Sequence, residues 1–68
     1  MIALLNSNDP VQISYAEALL LDAGIDHEVV DSHMSVIEGS IGALPKRVLV
    51  AEDRYEDARR LLIDAELL

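Results

Sequence analysis

Apolar and polar positions change period several times along the chain. Ile2-Ala3-Leu4-Leu5 is a short, unbroken apolar run, the pattern of a buried strand. Asn6 to Pro10 is a cluster of turn-forming residues. Within it Asp9 is the expected N-cap and Pro10 the first helical residue, and Gln12, three residues on, completes a box-like start. From Pro10 to about Ala23 the spacing becomes helical. Ile13, Ala16, Leu20 and Ala23 share one stripe with Leu19 beside it, and Gly24 stands where a left-handed C-cap belongs. Leu21 lies about 100° from Leu20 around that helix and falls outside the stripe. Val11, Tyr15 and Ala18 widen the apolar surface further. Two readings stand for this excess: a broad core contact, or a second contact such as a dimer interface.

Ile25 to Val30 alternates imperfectly. Ile25, His27 and Val29 fall on one side, and Asp26, Glu28 and Val30 on the other, as expected of an edge strand. Pro45 precedes Lys46-Arg47-Val48-Leu49-Val50, whose apolar half predicts a central strand. Asp53 and Glu56 are spaced as the N-cap and N3 of a second helix. Its buried stripe is Tyr55, Ala58, Leu62 and Ala65, flanked by Leu61, with Glu56 and Arg60 paired four apart. Leu67-Leu68 either finishes this helix or begins a short fourth strand.

The order is therefore β-α-β-β-α in one domain, residues 1–68. It predicts an α+β, ferredoxin-like sandwich: a small antiparallel sheet, two helices on one face, and a fourth strand that is short or absent. Strand three inserts between strands one and two. That leaves residues 31–44, DSHMSVIEGSIGAL, as an oversized hairpin connection where about two to five residues would do. Its apolar residues Met34, Val36, Ile37, Ile41 and Leu44 argue against disorder. Met34, Val36, Ile37 and Ile41 are expected to anchor the segment while Glu38 to Gly42 form a mobile tip. The segment reads either as a binding loop or as a structural cover.

Composition narrows the options. The chain has 51% hydrophobic residues but no Phe, Trp or Cys and only two Tyr, so the core must be aliphatic. Disulfides and cysteine-based zinc sites are excluded. The formal charge of −8 argues against nucleic acid and anionic membrane as partners. No Lys or Arg precedes Lys46, whereas residues 46–68 hold all five basic side chains. These either pair locally on a helix surface or form a basic surface near Lys46-Arg47 that meets an acidic partner or an anion. The apolar runs are too short to span a membrane and no leader pattern is present, so a cytoplasmic location is expected.

No catalytic constellation emerges. Asp31-Ser32-His33 cannot form a triad by adjacency, because neighbouring strand residues point to opposite sides. His27 and His33, six apart, match no compact zinc pattern and read as an exposed strand histidine and a loop histidine. No cofactor or metal is expected. The candidate binding residues are His33, Glu38, Gly39, Ser40, Lys46 and Arg47. The backbone amides around Gly39 and Gly42, with Ser40 and the two basic side chains, could hold a small anion or a partner's carboxylate.

Several stretches together carry a resemblance. They are Asn8-Asp9-Pro10, Ala16-Glu17-Ala18-Leu19-Leu20, Ala23-Gly24-Ile25, Glu38-Gly39, and Arg47 to Ala51 with Ala58 to Leu62. Over essentially its whole length the chain resembles small bacterial domains of unknown function described as "putative prokaryotic signal-transducing proteins". Members of that family are similar to nitrogen-regulatory PII proteins, which have a ferredoxin-like fold and engage partners through the long loop after strand two. The resemblance implies a signalling or regulatory module. It does not extend to nucleotide binding, because this chain is much shorter than a PII protein and has no glycine-rich phosphate motif. The expectation is a non-enzymatic module that contacts a protein partner through residues 31–44, with homo-oligomerisation possible. The alternative is a sensor of an anionic metabolite near residues 38–47.

Overall fold

The computed structural model describes residues 1–31 and 45–68. Its elements are β1 (Ile2–Ser7), α1 (Pro10–Asp22), β2 (His27–Asp31), β3 (Lys46–Val50) and α2 (Tyr55–Asp64), the last preceded by a single 3-10 turn, Glu52–Arg54. The strands form one antiparallel sheet in the order β1-β3-β2. This is the expected α+β, ferredoxin-like arrangement, with β3 central and β2 at an edge. Among the described residues there is no fourth strand. The predicted anchors Met34, Val36, Ile37 and Ile41 lie outside the described residues.

The core sits between one face of the sheet and the two helices. It is wholly aliphatic: Leu4, Leu5, Ile13, Ala16, Leu20, Ile25, Val48, Val50, Ala58 and Leu62. Leu19, Val29, Tyr55, Leu61 and Leu67 pack against its margin. Val48 and Val50 alternate inward from the central strand, while Leu20 and Leu62 descend on them from the helices. β1 departs from simple alternation. Its pairing with β3 shifts register between Ala3 and Leu5, and this bulge turns both Leu4 and Leu5 into the core. The strand also runs on through Asn6 and Ser7, which the sequence pattern assigns to the turn.

Both helices end in the same way. After α1, Gly24 adopts a φ of 70°, its N–H donates to the Leu21 carbonyl, and the Ile25 N–H donates to Leu20. That is a Schellman turn, and it drops Ile25 into the core instead of starting β2 there. After α2, Glu66 adopts a φ of 64°, its N–H donates to Ile63, and the Leu67 N–H donates to Leu62. Leu67 is thereby folded back onto the core as the closing residue of a cap. The helix starts differ. Asp9 Oδ1 accepts from the Val11 N–H at 2.9 Å. Gln12 does not reach the cap backbone directly: the Asp9 N–H donates to Ser7 Oγ, and that hydroxyl donates to Gln12 Oε1. At α2 the expected Asp53–Glu56 box is replaced by the 3-10 turn, opened by the Arg54 N–H donating to Ala51. The ion pair on that helix joins Arg54 to Asp57 at 3.2 Å, a surface contact.

A glycine suits a left-handed position and a glutamate does not. Glu66→Gly is expected to raise the unfolding free energy by about 0.5–1 kcal/mol, and Gly24→Ala to lower it by about 1 kcal/mol. A Cβ on Gly24 would meet nothing within 4 Å, so backbone conformation alone sets its cost. Urea melts of the three chains check this, and coincident midpoints would contradict it.

Candidate functional site

The β2–β3 hairpin stays in register to its last pair, so Asp31 and Lys46 stand side by side. Their side chains make a cross-strand ion pair, Lys46 Nζ to Asp31 Oδ1 at 3.8 Å. Across β3 from Asp31, Lys46 also faces Ser7 of β1. Ser7, Lys46 and Asp31 thus form one row on the helix side of the sheet, beside the N-cap of α1. Ser7 is already committed there to Asp9 and Gln12. Both partners of the ion pair are exposed, so solvent screens their attraction.

Arg47 goes the other way. Strand alternation puts it with Leu49 on the face opposite the core, between Asn6 of β1 and Val30 of β2. That outer face also carries Ala3 and Glu28, both exposed, while Leu49 and Val30 are half-buried. The two cations that sequence reasoning grouped therefore leave β3 in opposite directions. One is engaged by Asp31; the other lies over a mixed apolar and polar sheet surface. His33, Glu38, Gly39 and Ser40 lie outside the described residues.

His27 is not the exposed strand residue that the sequence suggests. It faces the core side of β2 opposite Val50, and its side chain is only 16% exposed. Its Nδ1 lies 2.9 Å from the Ile25 carbonyl, which can only accept, so Nδ1 carries the proton of that bond. Its Nε2 then points at Glu17 Oε2 of α1, 4.0 Å away. The link between α1 and β2 has no signal in sequence spacing, because Glu17 and His27 meet only once the Gly24 turn reverses the chain. The Asp31–Lys46 pair was hidden for a related reason: it depends on a hairpin register across a fourteen-residue connection.

Among the described residues, no three His, Asp or Glu side chains gather where they could hold a metal ion. No described helix is long and apolar enough to cross a membrane. No buried side-chain nitrogen or oxygen of these residues lacks a hydrogen-bond partner. The remaining surface of note is the outer side of α1, where Val11 and Leu21 are 74% and 75% exposed and Tyr15 is 48% exposed.

Compared with known protein families, residues 1–66 match the profile of a family described as "Putative prokaryotic signal transducing protein". A search of curated proteins returned no match.

The Asp31–Lys46 pair is expected to align the hairpin ends more than to stabilise the domain. A double-mutant cycle over Asp31→Asn and Lys46→Gln should return a coupling below about 1 kcal/mol that shrinks as salt is added. A larger, salt-independent coupling would mean that the pair is shielded from solvent.

Proposed function

Because the chain belongs to this family of prokaryotic signal transducing proteins, we propose that it is a non-enzymatic module that engages a protein partner through residues 31–44. The observation that carries the reading is the β2–β3 ladder. It holds full register up to Asp31 and Lys46, so both ends of the intervening sequence are fixed side by side on a rigid sheet. That sequence is long for a hairpin and rich in both apolar and small polar residues, a composition suited to partner contact. The wholly aliphatic core below it supplies the scaffold. In this reading His33, Glu38, Gly39 and Ser40 meet the partner directly, and Arg47 meets it from the open sheet face.

Sensing of an anionic metabolite near residues 38–47 ranks second. Lys46 is engaged by Asp31, and Arg47 projects from the opposite face, so the two cations do not converge from β3 on one small ligand. A protein surface can meet both faces; a compact anion cannot.

Replacing residues 32–45 with Asn-Gly tests the proposal. Asp31 and Lys46 are already paired, so a two-residue turn can join them without disturbing the strands. The shortened chain should keep its thermal midpoint within a few degrees. It should lose the partner that the intact chain retains in a comparative pull-down. A partner retained equally by both chains would sink the reading, and a saturable metabolite response in the intact chain would favour the sensor.

A further inference from the structure

The outer side of α1, turned away from the sheet, is largely apolar. With Leu20 facing the sheet, Val11 sits about 180° around the helix, and Tyr15 and Ala18 fall within about 40° of Val11. Leu21 extends the surface on the side shared with Ser14 and Glu17. A helix of a small domain ordinarily shows solvent a charged face; this one shows Val11, Tyr15, Ala18 and Leu21. Exposed apolar residues that are contiguous on one face, with a polar rim, mark an interaction surface.

The rim identifies the occupant. The charged groups on α1 and at its two ends are all acidic: Asp9 at the N-cap, Glu17 on one flank, Asp22 at the last turn on the same side as Val11, and Asp26 just beyond it. No basic residue lies anywhere in α1, and its last turn, where the helix dipole favours a cation, has none. A second copy of this chain would bring an identical acidic rim against the first, in a protein of net charge −8. A basic partner meets no such repulsion. We infer that the outer face of α1 docks a basic amphipathic helix, whose apolar stripe packs on Val11, Tyr15 and Leu21 and whose Lys or Arg side chains pair with Glu17 and Asp22. This surface is additional to the contact proposed for residues 31–44 and does not depend on it.

The probe is a pair of synthetic amphipathic helical peptides with the same leucine stripe, one rimmed by Lys and the other by Glu. Titrated into the intact chain at physiological salt, the Lys peptide should bind saturably at one site and the Glu peptide should not. The deciding variant is Val11→Glu/Leu21→Glu. Both positions are exposed, so the fold should persist, which circular dichroism and a thermal melt verify. It adds two negative charges, so simple charge attraction would bind the Lys peptide more tightly. Docking on an apolar face instead requires affinity to fall by roughly tenfold or more. Unchanged or tighter binding overturns the inference. So does loss of peptide binding in the chain whose residues 32–45 are replaced by Asn-Gly, since that would move the site to the hairpin. A doubled mass in light scattering, abolished by Val11→Glu/Leu21→Glu, would also overturn it by assigning the face to a second copy.

Discussion

Everything in this domain hangs on one layer of aliphatic side chains between the sheet and the helices. With no cysteine, phenylalanine or tryptophan, no covalent link holds the 68 residues together, and the Tyr55 ring packs only at the margin of the core. The layer is organised from the middle. β3 is paired on both sides, and its Val48 and Val50 are fully buried, as are Leu20 and Leu62 opposite them. A strand in that position cannot move without breaking two ladders and the core together. The bulge in β1 serves the same layer: a regular strand would turn either Leu4 or Leu5 to solvent, and the shift in pairing lets both face inward.

The helix ends convert that layer into a closed unit. Two Schellman turns, at Gly24 and Glu66, send Ile25 and Leu67 back onto the core and satisfy the last carbonyls of each helix. The first of them also brings β2 under α1, so that His27 donates through Nδ1 to the Ile25 carbonyl and its Nε2 lies 4.0 Å from Glu17 Oε2. α1 is tied to the end of β1 by the hydrogen bond from Ser7 Oγ to Gln12 Oε1. Its outer residues Val11, Tyr15 and Leu21 lie outside the core that holds the domain together.

The basic side chains are confined to the second half of the sequence, where acidic ones accompany them. The acidic first half supplies α1 and β2, while every basic side chain belongs to β3, the 3-10 turn or α2. Lys46 meets Asp31 where the two halves touch at the hairpin end. The result is a molecule with distinct faces: an apolar helix surface rimmed by carboxylates, and a hairpin end flanked by a cation on each side of the sheet.

The order and type of the elements were legible in the sequence. Helical spacing at Ile13, Ala16 and Leu20, the Gly24 stop and the β-branched run at Val48 to Val50 each report local physics that survives folding. Sequence periodicity also marked the excess apolar surface of α1, because hydrophobic residues off the core stripe are visible without a structure. Other features required the fold. The β1 bulge, the cap at Glu66 and the 3-10 entry to α2 arise where core packing overrides local preference. The meeting of His27 with Glu17, the pairing of Asp31 with Lys46 and the divergence of Lys46 from Arg47 depend on chain reversal and strand register. Period and propensity act over a few residues, so the sequence by itself determined the elements and their order. Register and facing are set by contacts between distant residues, so only the tertiary structure decided which side chains share a surface.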